Sequence, residues 1–185
     1  MHKTVLTESF ILHDLVRMPK NFEIDWRILK GGIVYSSLLS KEEAPLNTYY
    51  LPRPRYKVPF SKALDMLNTY IIEHIFLKHK IKVFNLDIWG NSIFPNEQLD
   101  LSKDVDPMDL RNSPDFVMIY GVNINDPKAT ITFHYDDKRA KDREYVLPLR
   151  NNQFIFFPSH LLYKINKNKS DDLNVLLTIT YKYVA

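Results

Sequence analysis

The chain has 185 residues, 45% of them hydrophobic and 13% aromatic, a composition that builds one packed globular domain and excludes a disordered chain. Cysteine is absent, which removes disulfides, thiolate metal sites and cysteine nucleophiles and fits a reducing cytoplasm. A net charge of +3 spread along the sequence gives no nucleic-acid footprint; no apolar run reaches membrane-span length, and Glu8, His13 and Asp14 interrupt any signal-peptide pattern.

Residues 1 to 50 carry apolar patches, Val5 to Val16 and Ile33 to Leu39, around Pro19 and Gly31-Gly32. This pattern predicts short strands on an extended path. Leu51-Pro-Arg-Pro-Arg-Tyr-Lys-Val-Pro59 follows as a proline-spaced connector biased toward extended backbone. A basic arm of this kind, carrying Arg53, Arg55 and Tyr56, can grip a neighbouring subunit; the alternative is a linker laid over the protein's own surface. The connector divides the chain into an N-terminal extension, 1–59, and a main domain, 60–185.

The clearest helix runs from Ser61 to about His79. Ser61 is a suitable N-cap after Pro59, and Leu64, Leu67, Ile71 and Ile75 share one face at spacings of three and four. His74 and His79, five apart, do not share a face as a helical metal-binding pair would. Strands are predicted near Ile81 to Ile88, Phe116 to Ile124, Ala129 to Tyr135, Glu144 to Leu149, Phe154 to Phe157, Leu161 to Ile165 and Val175 to Tyr183. Short strands at regular spacing with polar turns signal a sandwich or barrel, so the fold class is mainly β with one flanking helix. Phe94 to Pro114 reads as the longest irregular segment and holds Asp100, Asp104, Asp106 and Asp109. It lacks the glycine and terminal glutamate of an EF-hand and reads as a solvated acidic loop; Asp104, Asp106 and Asp109 are also candidates for a subunit contact.

The last strands carry a motif. Phe157-Pro158 ends an aromatic strand, Ser170-Asp171 forms a polar turn before the final strand, and upstream stand Trp89-Gly90-Asn91 and Phe116-Val-Met-Ile-Tyr-Gly121. From Val83 to Tyr183 the chain resembles the phage-encoded branch of the 2-oxoglutarate/Fe(II)-dependent oxygenases. The resemblance implies a double-stranded β-helix of the jelly-roll, cupin-like kind. In that family a His follows five residues after the Phe-Pro and ligates iron, an Arg on the last strand pairs with 2-oxoglutarate, and a His-x-His or His-x-Asp stands between the two upstream motifs. Here Tyr163 takes the His position, Asn174 takes the Arg position, and Leu99 to Asp115 has no histidine. A phenol is a poor replacement for imidazole on Fe(II), and a neutral amide cannot form the bidentate pair a carboxylate wants. On this alignment Tyr163 and Asn174 are expected to lie together at the barrel mouth.

One literal His-x-Asp exists, His134-Tyr135-Asp136, with His160 lying 24 residues beyond Asp136. The family separates its two ligand groups by about four strands of roughly five residues each, so His134, Asp136 and His160 are weak metal candidates. The resemblance therefore implies a non-catalytic structural or assembly protein, a tailed-phage virion component assembled in the host cytoplasm. Its partners would be other virion proteins or copies of itself, and it would need no cofactor. The alternative is an active oxygenase that uses Fe(II) and 2-oxoglutarate through divergent ligands.

Overall fold

The computed structural model describes residues 9–17, 25–43, 56–105, 108–136 and 142–184, with backbone only at 39–43 and 56. Ten strands and two helices follow one another: β1 (Leu12–Leu15), α1 (Trp26–Glu43), β2 (Tyr56–Lys57), α2 (Lys62–His79), β3 (Val83–Ile93), β4 (Leu99–Ser102), β5 (Phe116–Asn123), β6 (Thr130–Asp136), β7 (Asp142–Pro148), β8 (Gln153–Pro158), β9 (Leu162–Ile165) and β10 (Asn174–Tyr183). They form a six-stranded sheet in the order β1-β8-β5-β10-β3-β2 and a four-stranded sheet in the order β4-β9-β6-β7. Every pairing is antiparallel. From β3 to β10 the chain changes sheet at every step but one, the β6–β7 hairpin within the smaller sheet, which is the double-stranded β-helix.

Alternation on the strands builds two apolar layers. Val175, Leu177, Ile179 and Tyr181 of β10 face the helices, where Leu29 and Ile33 of α1 and Leu64, Leu67, Ile71 and Ile75 of α2 cover them. Leu176, Ile119 and Val117 face the other way and meet Ile131, Phe133, Leu147 and Ile165 of the smaller sheet. Each large side chain fully buried here contributes on the order of 1.5–3 kcal/mol of transfer free energy.

α2 forms as its caps and spacing predict. Ser61 Oγ accepts from Leu64 N at 3.2 Å, and Lys80 closes the helix in the left-handed region, its N–H donating to Phe76 O. Asp14 of β1 holds the outer side of this helix: Lys78 Nζ donates to it at 3.1 Å and the His74 ring lies 3.4 Å away. The hydrogen bond from Lys78 is the main reason that the Asp14 carboxyl sits below its ordinary range. This tie is complete at neutral pH and is lost as pH falls through the lowered value.

Two expectations are corrected. The segment predicted as short strands around Ile33 to Leu39 is the helix α1, so two helices flank the sheets. Asp25 caps it, Oδ1 accepting from Arg27 N at 3.0 Å and Ile28 N at 3.4 Å. Its buried face is Leu29, Ile33, Ser36 and Ser37, a helical period in which two serines replace apolar residues. The acidic loop contains a strand, β4, paired with β9. Before residue 60, β1 pairs with β8, β2 pairs with β3, and Ser36 Oγ donates to Lys57 O at 3.1 Å.

Close approach fixes Gly90 and Gly121. A Cβ on Gly90 would overlap the side chain of Ile33, and one on Gly121 would overlap the carbonyl oxygen of Arg150. Gly121→Ala is expected to lower stability in urea unfolding by about 1–3 kcal/mol or more, because backbone must move. Gly90→Ala is expected to cost a similar amount alone and almost nothing when added to Ile33→Ala, since the truncation vacates the space. Equal costs in both backgrounds would contradict this packing.

Candidate functional site

The barrel has two polar ends, and the sequence motif touches both. At one end β4 finishes beside the start of β9, where Ser102 pairs with Tyr163. Asp104 N donates to Ser159 O at 3.2 Å, and Ser159 N donates to Asp115 O at 3.0 Å, so the ends of β4, β8 and β5 meet there. Tyr163 points into this end with 3% of its surface exposed. Its hydroxyl donates to Asp104 Oδ2 at 2.9 Å. Its ring packs edge-on against Phe157 at 5.2 Å and tilted against Phe133 at 6.5 Å, with Phe133 and Phe157 themselves 4.8 Å apart. The rings fix the phenol, and the phenol ties the chain after β4 to β9. On the opposite wall Asn91 Nδ2 donates to Thr178 Oγ1 at 3.0 Å.

Asn174 lies at the other end. It is 3% exposed, and its Oδ1 accepts from Asn125 N at 2.7 Å and Asp126 N at 3.1 Å. Asp126, also buried, accepts from Lys128 N and Lys169 N at 2.8 Å each. Asn168 donates to Ile93 O at 3.0 Å and Asp172 O at 2.8 Å and accepts from Ser170. This network closes the turns β5–β6 and β9–β10, and Ser170 belongs to it. The expectation that Tyr163 and Asn174 share the mouth is therefore wrong: the strands carry them to opposite ends, each with a separate structural partner, so the alignment that set them at two adjoining ligand positions does not hold at both.

His134, Asp136 and His160 do converge, lining one cleft of about 370 Å³ with Ser9, Asp142 and Leu162. Convergence is not coordination. His134 Nε2 lies 3.4 Å from Glu144 Oε1 and Nδ1 lies 3.9 Å from Asp142 Oδ1, ion-pair distances at which Nε2 still lacks an aligned hydrogen bond. His160 Nε2 is 3.4 Å from Ser9 Oγ. Among the described residues no three of His, Asp and Glu are placed to hold a metal ion. A neighbouring cleft of about 340 Å³ is lined by Phe10, Phe133, Tyr135, Tyr145 and Leu161. Tyr120 lies apart from it, in the helix-side layer, and donates to Asn152 Oδ1 at 2.8 Å.

Of the contact candidates, Tyr56 pairs with Gly90 through its backbone, Asp104 holds Tyr163, and Asp109 accepts from Asn112 N and Nδ2. Arg53, Arg55 and Asp106 lie outside the described residues. Sequence reasoning named Asp104 as a loop carboxylate and a candidate subunit contact; the missed signal was the Leu-x-Leu alternation of Leu99 and Leu101, which gives β4 and places Asp104 at its exit. It missed Asn168 and Asp126 entirely, although Asn and Asp concentrated in turns are the usual carriers of backbone caps.

Iron and 2-oxoglutarate can be tested against these residues. Around Tyr163 the described groups are one phenol, one carboxylate, an amide and hydroxyls. The buried polar residues, Ser, Thr, Asn, Gln and Asp126, include no Lys, Arg or His. The cation at this end, the partly buried Lys182, is held by Ser113 O at 2.7 Å and Asp115 Oδ1 at 3.5 Å, so a dianion entering this space would meet no fully buried cation among the described residues, and an uncompensated buried charge is strongly unfavourable. The residues described here do not fit the pair.

No family model matches the chain, and no curated protein does either. Solved structures do. AviO1 from Streptomyces viridochromogenes Tue57 superposes with a TM-score of 0.63 at 12% identity, over 94% of this chain and 90% of that one. SnoK, a non-heme alpha-ketoglutarate-dependent carbocyclase from nogalamycin biosynthesis, gives 0.59 at 9% identity, over 94% and 79%. An oxidoreductase of the 2OG-Fe(II) oxygenase family from Burkholderia pseudomallei gives 0.53 at 9%, over 69% of this chain and 62% of that one, so this chain spans less than two thirds of that enzyme. The likeness at such identity is one of fold, the double-stranded β-helix that the strand order describes.

The two polar ends differ in what they hold. Asn174→Ala leaves two backbone N–H groups unpaired, about 1–3 kcal/mol for each buried group, whereas Tyr163→Phe removes one hydrogen bond worth about 0.5–1.5 kcal/mol. Equilibrium unfolding is expected to rank Asn174→Ala as the more damaging. The reverse order would contradict these partnerships.

Proposed function

We propose that this chain acts by contact, as a non-catalytic assembly protein that uses the oxygenase-type barrel as a scaffold, with copies of itself or other proteins as partners. One observation carries the reading: the Tyr163 phenol, buried among Phe133 and Phe157, is bonded to Asp104. It stands where the resemblance puts an iron-ligating imidazole. A tyrosine held this way is a cross-link between β4 and β9 and leaves no imidazole facing the interior there. Placement in a tailed-phage particle is a finer form of the proposal and rests on the Phe157-Pro158 and Ser170-Asp171 resemblance alone.

The second reading is an oxygenase with divergent ligands. The names of the similar structures favour it: SnoK is alpha-ketoglutarate dependent and the Burkholderia pseudomallei protein belongs to the 2OG-Fe(II) oxygenase family. The convergence of His134, Asp136 and His160 on one cleft gives that reading its residues.

The two separate on purified full-length protein. Assembly predicts no stoichiometric iron, no rise in melting temperature with Fe(II) and 2-oxoglutarate added together, and no succinate released. Tight Fe(II) binding abolished by His134→Ala, His160→Ala or Asp104→Asn, or turnover of 2-oxoglutarate, would replace it with the oxygenase reading.

A further inference from the structure

The inward face of the smaller sheet is left open at one end. Ile131 and Phe133 of β6 and Leu147 of β7 turn inward and are buried. The register pairs Phe133 with Tyr145 and Tyr135 with Arg143, so strand alternation puts Tyr135 and Tyr145 on that same face. Yet they are 42% and 43% exposed. Ser9, Phe10 and Ile11, which lead into β1, form the other wall of a cleft of about 340 Å³ beside them. Two tyrosine rings thus stand on the core side of a sheet with half their surface uncovered.

The cleft of about 370 Å³ adjoins this one, since Ser9, Tyr135 and Leu161 line both. It adds polar groups, His134, Asp136, Asp142 and His160. Small-molecule sites span roughly 300–1,000 Å³ and combine an apolar wall with a few polar groups, which is the make-up of these two halves together. The polar groups decide the ligand class. Carboxylates only accept hydrogen bonds, whereas a serine hydroxyl and an imidazole N–H also donate. Among the described lining residues no lysine or arginine is present to take an anionic group. An ammonium offers donors alone and would leave the Ser9 hydroxyl and the imidazole N–H groups without an acceptor. A ring of hydroxyl groups donates and accepts at every position, and its C–H face can lie flat on a tyrosine ring while the phenol tip stays in water.

We propose that the two clefts form one binding site for a neutral saccharide, stacked on Tyr135 and Tyr145 and held at its hydroxyls by Asp136, Asp142, His134 and His160. The site goes beyond the assembly reading and does not rest on it, since Fe(II) and 2-oxoglutarate take no part. Both tyrosines are open to water, which competes for every hydrogen bond, so a single sugar ring binds weakly, with a Kd in roughly the millimolar range.

Two-dimensional NMR on the full-length protein tests it, by titration with the methyl glycosides of glucose, galactose and mannose and with N-acetylglucosamine, in the absence of metal and 2-oxoglutarate. At least one of these sugars is expected to shift amide signals saturably at residues 134–136, 142–145 and 160–162. Tyr135→Val and Tyr145→Val keep the strand propensity of their positions, and the amide spectrum reports that each is folded. Each is expected to weaken the binding about tenfold through the lost ring contact, while Tyr35→Ala, at an exposed position on α1, leaves it unchanged. Shifts centred elsewhere, or binding that ignores both valine variants, overturn the proposal. Silence across all the sugars overturns it too, and a response to phenol or to methylammonium in their place assigns the groove to an aromatic or a cationic ligand. None of these failures touches the assembly reading, which is decided by iron and 2-oxoglutarate.

Discussion

The structure depends on the two-sided burial of β10. Its residues from Asn174 to Tyr181 are all buried, it pairs with β3 on one edge and β5 on the other, and its alternate side chains enter different apolar layers. Val175, Leu177, Ile179 and Tyr181 bind the helices to the large sheet, while Leu176 binds the large sheet to the small one. Only a strand with apolar or hydrogen-bonded side chains on both faces can occupy this position. Thr178 and Thr180 meet that demand through Asn91 and the carbonyl of Asp87, and the Tyr181 hydroxyl donates to Asn68 of α2 at 2.9 Å. Burial pushes the Tyr181 and Tyr120 phenols far up, so both remain neutral donors.

The two ends of the barrel follow from this arrangement. Where strands leave the sheets, backbone groups lose their ladder partners and buried ones must be satisfied by side chains. At the β9–β10 end, Asn168, Asn174 and Asp126 do this work. At the other end Tyr163 and Asp104 tie the loop after β4 to β9. Tyr163 and Asn174 are thus both committed to holding the chain together, at separate ends of the barrel. The fold by itself assigns no chemistry, since function lies in the residues a scaffold presents.

Much of the fold was legible in the sequence because local signals agreed with the final environment. α2 announced itself by a serine cap and four apolar residues on one face, and the strands from β5 onward by short apolar runs between Asn, Asp and Pro turns. α1 was hidden for a physical reason: its buried face includes Ser36 and Ser37, bonded to Lys57 O and Ile33 O, and a glycine pair interrupts it. β4 was hidden because a strand of four residues with two exposed positions carries little pattern. The site was half legible. Tyr163 and Asn174 could be found by alignment to the Phe-Pro and Ser-Asp landmarks, but their separation could not, because it depends on β9 and β10 lying in different sheets. Asp104 became visible only through the pairing of β4 with β9.

The central claim is that the Tyr163 end of the barrel is a closed structural joint with no place for a divalent metal. A titration with Co(II), whose visible absorption strengthens on leaving the octahedral water shell for a protein site of lower coordination, addresses it directly. The account predicts the weak spectrum of aqueous Co(II) at every ratio of metal to protein, in the wild type and in Tyr163→Phe alike. A band that saturates at one equivalent in the wild type and changes in Tyr163→Phe would contradict it.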